Sequence, residues 1–310
     1  MGAVTLLDSV PQEEIIIRLL DFYSRLEKLL STRLPHDIWK SAERQQGAKE
    51  ALDLWLRTLV REDLQKLLPG VGLHWDSQIH IPPVYSTSSV ALIDLVDGAK
   101  EYARMGTAVT SHLGVYRREG EELGQMQLGI VSYPFHKFRV LSVGEGEGSA
   151  VYYVPFEVEI MDGDIAEKLE KGRLAPSSRK KMVVDLDLVD RYKYYDQADP
   201  VRRNLDVLRW GLYEGKGRYT DQEGGSVAKT IVDVALGVND VAICKHPPRA
   251  YKGYPPIEYL TPSTLLRNLG GIFTDLDGKK PDGKSSINGF IAAGNRELYE
   301  VFTQYLHSGS

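Results

Sequence analysis

The chain contains a single cysteine, Cys244, in 310 residues. That excludes an intrachain disulfide and a thiolate metal cluster, so nothing marks an oxidising compartment. Cys244 itself reads as a small residue at a strand end. No apolar run approaches the roughly 18 residues of a membrane span, and no repeat of roughly 20–50 residues is visible. An excess of positive charge is lacking too, since 38 Lys+Arg stand against 43 Asp+Glu for a net charge of −5. The expectation is no nucleic-acid polymer and no membrane as partner, and any anionic ligand must be held by a local site. The segment MGAVTLLDSVPQEE reaches acidic residues too early for a secretory signal, and Leu6 stands where a myristoylation motif has Ser or Thr. A cytoplasmic protein is expected. What is present, 42% hydrophobic and 26% charged residues, is the composition of a globular chain long enough for one large domain or two packed halves.

Ser9 and Gln12 fit a capping box, and Ile16, Leu19, Leu20, Tyr23, Leu26 and Leu30 recur at helical spacing. This predicts a helix over 10–33, broken by Pro35, and the pattern Ala51, Leu52, Trp55, Leu59, Leu64 predicts a second one ending before Pro69-Gly70. From Ser89 the texture changes. Val90 to Ile93 reads as a buried strand stopping at Asp94, followed by a hairpin over 107–116 and 125–133 and another over 138–144 and 149–160. A short helix over 164–171 and a half-buried strand over 182–189 follow. Next come a helix capped by Ser226, a strand over 239–244 and a Pro/Gly-rich loop over 247–256. A helix over about 261–269, a strand over 271–275 and a strand-helix pair from 289 complete the chain. The expected division is a helical pair (1–68), an antiparallel-sheet half (69–190) and an α/β half (191–310), which points to layered α and β rather than a doubly wound nucleotide-binding sheet.

The sharpest chemical signal is Ile93-Asp94-Leu95-Val96-Asp97-Gly98-Ala99-Lys100. Two carboxylates held close at the end of a buried strand repel unless a cation neutralises them, and a hard divalent ion with oxygen ligands does so. If a helix starts at Gly98, the amides of Gly98, Ala99 and Lys100 point at a site suited to phosphate. The same octapeptide also reads as a surface turn closed by Asp-Gly. Other groups carry double readings. His74 and His80 lie near this loop but lack paired helical spacing, which suits surface or satisfied histidines. Asp275 and Asp277 read as a turn after a strand. Arg191 to Tyr195 with Arg202 and Arg203 either line a pocket or form a solvated face. Ser226 is better explained as a helix cap than as a nucleophile.

Three segments in order resemble the inositol monophosphatase superfamily, which includes fructose-1,6-bisphosphatases and phosphoadenosine phosphatases. Asp94 to Ala99 is similar to its Asp-Pro-x-Asp-Gly-Thr signature. Gly225 to Asp240 is similar to its Gly-Ser-x-Ala helix ending in Val-Ala-x-Gly-x-x-Asp, and Ile257-Glu258-Tyr259-Leu260-Thr261 falls on its Trp-Asp-x-x-Ala segment before a Gly-Gly strand. The resemblance spans roughly residues 85–305 and implies an α+β fold, a layered αβαβα sandwich, with Mg²⁺ (Mn²⁺ also) as cofactor and a small phosphorylated metabolite as substrate. It implies a homodimer as well. Carried over residue by residue, Asp94, Asp97 and the Val96 carbonyl are metal ligands, with Glu258 in place of the second motif's Asp. Asp76 is the best substitute for a missing Gly-Glu-Glu ligand, in the segment Gly72-Leu73-His74-Trp75-Asp76-Ser77. Asp53 sits where an upstream acid would assist the attacking water, although a solvated helical acid is the commoner reading of that position. Ala99 replaces the threonine whose hydroxyl orients that water. The implied activity is Mg²⁺-dependent hydrolysis of a phosphomonoester. The departures open an alternative, a homologue that binds a phosphorylated ligand without hydrolysis or catalyses phosphate elimination.

Overall fold

The computed structural model describes residues 12–31, 45–75, 87–98, 109–120, 122–156, 165–176, 183–188, 218–220, 226–245 and 253–307. The chain divides into two compact units, Met1–Leu174 and Ala175–Ser310.

In the first unit, α1 (Gln12–Ser31) has Glu13 and Glu14 in its first turn and Lys28 in its last, both favourable to the helix dipole. Its Ile15, Ile16, Leu19, Leu20, Tyr23, Leu26 and Leu30 are buried, the stripe that the spacing predicts. The second helix, α2 (Gln45–Leu67), buries Leu56, Val60 and Leu64 in the same core. Gly70, at φ 76°, ends the passage to the sheet, a backbone conformation that glycine adopts without a Cβ penalty. Six strands follow: β1 (Gly72–Trp75), β2 (Ser89–Asp97), β3 (Thr110–Glu119), β4 (Glu122–Tyr133), β5 (Phe138–Val143) and β6 (Ala150–Pro155). They lie side by side in sequence order. All neighbours are antiparallel except β1 and β2, which are parallel. Residues of α1, α2 and the sheet share one hydrophobic core, and the short α3 (Ile165–Lys171) adds Ile165 and Leu169 to it.

Several boundaries differ from expectation. The β3–β4 ribbon runs on to a tight turn at Gly120, φ 69°, because Arg117 to Glu119 extend the ladder where one face is already solvated. β1 has no counterpart in the sequence reading, since four residues give no measurable alternation.

The second unit holds β7 (Val183–Leu188), β8 (Arg218–Thr220), α4 (Val227–Ala235), β9 (Val241–Lys245), α5 (Pro256–Asn268), β10 (Ile272–Asp275), β11 (Gly289–Ala293) and α6 (Arg296–His307). Its sheet order is β10-β11-β9-β7-β8. Ser226 caps α4 as expected, its hydroxyl accepting from the Lys229 N–H at 2.9 Å. Helix α5 starts at Pro256, five residues before the expected 261. Proline suits a first helical turn, where no N–H partner is needed, so the residues read as a loop end are the helix start. Cys244 is buried in β9, as its small-residue reading requires. Asp275 accepts from the Asp277 and Lys279 N–H groups, the turn role read from sequence. No helix among the described residues is long and apolar enough to cross a membrane.

Candidate metal centre

All nine residues of β2 are buried. The strand does not stop at Asp94 but continues to Asp97, and its register against β3 shifts between the two aspartates. The cause is local: the Asp94 Oδ1 accepts from the Val96 N–H at 3.0 Å, an aspartate closing a turn on its own backbone two residues on. A bulge of this kind re-aims side chains and allows pairing to resume at Asp97 with Thr110. Gly98 follows the second carboxylate at φ 85°, in the left-handed region that glycine adopts without a Cβ penalty.

Opposite Asp94 in the ladder stands His112 of β3. Asp94 is 1% exposed, Asp97 6% and His112 0%, and one donor atom of each lies within 4.8 Å of the others. His112 Nε2 is 3.9 Å from Asp94 Oδ2. Two carboxylates at that spacing repel by at least about 3 kcal/mol at an effective dielectric of about 20, a cost that a cation between them reverses in sign. Two hard oxygen donors and an imidazole, converging in a buried place, are therefore a donor set that suits a divalent ion.

Beneath this cluster α1 contributes polar groups that the sequence presents only as helix residues. The Tyr23 hydroxyl lies beside Ser111, and burial holds its pKa well above the ordinary phenol value, with the charges of Glu27 and Asp94 adding to the effect. One turn on, Glu27 is buried and accepts from Arg139 Nε at 2.7 Å, from Arg139 Nη2, and from Ser132 Oγ at 2.6 Å. Arg139 Nη2 also donates to Ser24 Oγ at 2.9 Å, and the guanidinium lies 4.5 Å from the Phe156 ring centre. Burial raises the Glu27 pKa, and the bonds and charge of Arg139 oppose that rise. This network ties α1 to β4 and β5.

Of the residues expected from sequence, Asp94 and Asp97 come together, and Val96 and Gly98 lie on the same bulge and turn. Glu258 is in the second unit, half-buried in the first turn of α5. Asp53 falls within α2 among residues whose side chains are not described, and Asp76, His80, Ala99, Lys100, Arg191 to Tyr195, Arg202 and Arg203 lie outside the described residues. His74 is buried in β1, in keeping with a satisfied histidine. The sequence reading missed His112. The signal was available only through pairing: in a β2–β3 ladder, register alone decides which residue of the second strand meets Asp94.

A sequence model of the inositol monophosphatase family matches residues 24–310. Among solved structures, the chain is similar to an inositol monophosphatase from Zymomonas mobilis, with 17% identity, 99% of each chain covered and a TM-score of 0.60. It is also similar to inositol monophosphatase II from Staphylococcus aureus MSSA476, at 15% identity, 94% of this chain and 96% of that one, TM-score 0.59. A third is SaIMPase-II with bound inositol monophosphate, at 14% identity, 94% and 91% coverage, TM-score 0.60. Likeness at these identities shows the fold, the α+β sandwich implied by the sequence resemblance. No curated protein sequence matches this chain significantly.

Proposed function

The chain belongs to the inositol monophosphatase family, and on that premise we propose that it is a metal-dependent phosphomonoesterase acting on a small phosphorylated metabolite. The observation that carries the proposal is the buried convergence of Asp94, Asp97 and His112 at the bulge of β2.

Asp94 and Asp97 would hold a divalent cation, which when bound would supply charge neutralisation to phosphoryl oxygens and a leaving alkoxide and lower the pKa of a bound water. Mg²⁺ or Mn²⁺ are the ions that the sequence resemblance implies. The chain's own contribution is preorganisation. The Val96 N–H fixes one oxygen of Asp94, so the carboxylate is oriented before any ligand arrives. Burial of all three side chains lowers the local dielectric and strengthens each interaction with an ion. Asp53, Asp76 and Glu258 enter the proposal on sequence position alone, as do the amides of Ala99 and Lys100 beside Gly98. A homodimer is proposed on the same ground, to be checked by light scattering.

Inositol, sugar and nucleotide phosphates are the substrate classes to test, and inositol monophosphate, the ligand of SaIMPase-II, is the natural first choice. Ala99 in place of a threonine favours a second reading, in which the site binds a phosphorylated ligand without hydrolysing it or eliminates phosphate. Incubation of a phosphate-ester panel with the protein and Mg²⁺ or Mn²⁺ separates these readings. Free phosphate with an organic product that has gained water supports hydrolysis; free phosphate with a product lacking water supports elimination. Binding without phosphate release refutes the esterase assignment.

A further inference from the structure

We propose that His112 is itself a ligand of the cation site, and that its imidazole shifts the site's preference from Mg²⁺ toward a borderline transition-metal ion such as Co²⁺ or Zn²⁺. This rests on the reading of Asp94 and Asp97 as cation ligands and names which ion they share.

The placement comes from strand register. Asp94 and His112 are direct cross-strand partners, and the pair lies on the side of the bulge where the ladder is regular. Cross-strand partners bring their Cβ atoms to about 4.5–5.5 Å, so a carboxylate and an imidazole there are delivered to one place by the backbone. Two ordinary roles for such a histidine compete with ligation. In the first, it is a hydrogen-bonded partner that orients the carboxylate. The Nε2–Oδ2 separation of 3.9 Å is longer than the ~3.2 Å reach of an N–H···O bond. The second is a space-filling role in the core. Along β3 the fully buried apolar positions are Leu113 and Val115, which alternate to the face opposite His112, whereas His112 is grouped with the two carboxylates.

Ligation suits the geometry better. In an octahedron with bonds of ~2.1 Å, donor atoms lie ~3.0 Å apart along an edge and ~4.2 Å across the diagonal. The observed 3.9 Å falls between these values, so a small rotation of either side chain places both atoms on one ion. The Val96 N–H holds the other Asp94 oxygen, and the oxygen facing His112 is Oδ2.

The chemistry then fixes the ion class. Mg²⁺ sheds water reluctantly and takes oxygen ligands, whereas an imidazole nitrogen suits later first-row ions, whose affinities for mixed nitrogen and oxygen sites rise along the Irving–Williams order. One buried imidazole beside two carboxylates makes such a mixed site.

The test uses the full chain and Co²⁺ as the probe. Co²⁺ binding is followed by its visible absorption, Mg²⁺ by competition, and the Co²⁺-loaded protein is studied by proton NMR in H₂O and D₂O. A hyperfine-shifted, exchangeable imidazole N–H signal is expected in the unaltered protein, absent in Asp97→Asn and in His112→Gln. His112→Gln should lower the Co²⁺-over-Mg²⁺ affinity ratio by at least the roughly 10–100-fold that loss of even an outer-shell partner costs. His112→Asn repeats the measurement in a shorter side chain, and the NMR signal of the unaltered protein decides the matter should neither variant fold. Co²⁺ bound in an Asp97-dependent way with no shifted imidazole signal, or an unchanged affinity ratio in a folded His112 variant, overturns the role of His112 and leaves the cation site standing. Absence of any Asp97-dependent binding of either ion overturns the cation site itself, and this inference with it.

Discussion

Replacing Arg139 by Met should destabilise the protein strongly at neutral pH and much less in acid. Arg139 is 1% exposed and Glu27 3%, and the guanidinium makes two bonds to the Glu27 carboxylate and one to Ser24. Removing one partner of a buried ion pair leaves the other charge uncompensated, which costs about 3–5 kcal/mol. In a cooperative unit of this size that corresponds to a fall in Tm of roughly 6–20 °C, at about 2–4 °C per kcal/mol. The sign of the pH effect follows from Glu27. Burial already places its folded-state pKa above the unfolded value, and losing Arg139 removes what opposes that rise. Below the unfolded value the carboxyl is protonated in both states and its burial is cheap. As pH climbs through the raised folded value, ionisation is penalised in the folded state only, so the deficit of the variant grows toward neutral pH. Glu27→Leu combined with Arg139→Met removes both charges and should recover at least about 2 kcal/mol relative to the sum of the single losses. Urea unfolding of the four proteins at pH 5 and pH 8 measures all of this. Single losses under about 1 kcal/mol, an additive cycle, or a deficit that does not change with pH would refute the account of a desolvated pair.

Four further outcomes are expected. Saturating Mn²⁺ at about 100 times its Kd should add about 2.7 kcal/mol to stability in the unaltered protein and nothing in Asp97→Asn, as read by thermal melting. Gly98→Ala should lose roughly 1–2 kcal/mol from its left-handed backbone, whereas Gly98→Asn should lose less; equal losses would argue against the turn seen at φ 85°. Ser226→Ala removes the cap of α4 and should cost about 1 kcal/mol, restored in Ser226→Asp, both measured by chemical denaturation. Ala99→Thr should raise phosphate release on a turned-over ester by roughly tenfold or more if a hydroxyl there positions water, and an unchanged rate would assign that positioning elsewhere.

The two carboxylates and the glycine after them were legible because they are contiguous, and α1 because its apolar stripe repeats along its length; for α2 the helix was legible but its buried face was not, since Leu59 of the expected stripe is exposed and Leu56 and Val60 are buried with Leu64. What was not legible is set by pairing. Nothing in the local sequence says that Asp94 faces His112 rather than Ser111, since a one-residue change of register exchanges the two faces of a strand. The extension of β2 past Asp94 was hidden for a related reason. Leu95 and Val96 continue an apolar run that, read from sequence, stops at the first aspartate, and only the bulge reconciles a buried carboxylate with an uninterrupted strand. Glu27 and Arg139 each look like ordinary surface charges on an amphipathic element, and their mutual burial depends on a helix and a strand meeting across 112 residues of sequence. The early start of α5 was missed because a run of prolines is weighed as a loop signal, although proline is well placed at a helix beginning.

The sheet order of the first unit has a consequence for how the protein comes into being. From β2 to β6 each strand pairs with the one that follows it in sequence, so every new strand closes a short loop onto a partner already made. Among the described strands of the second unit only the outer pairs join neighbours in sequence, β7 with β8 in parallel and β10 with β11; the centre of the sheet, β9 between β7 and β11, is made of partners separated in the chain. Closing longer loops before any contact rewards them slows assembly. The meander should therefore gain protection from hydrogen exchange in a pulse-labelling experiment before the strands of the second sheet, and on the ribosome it is complete while much of the second unit is still unsynthesised. Since Asp94, Asp97 and His112 all belong to β2 and β3, the first hairpin to close gathers them, and a nascent chain emerging into a cellular metal pool carries this donor set before it is a finished protein.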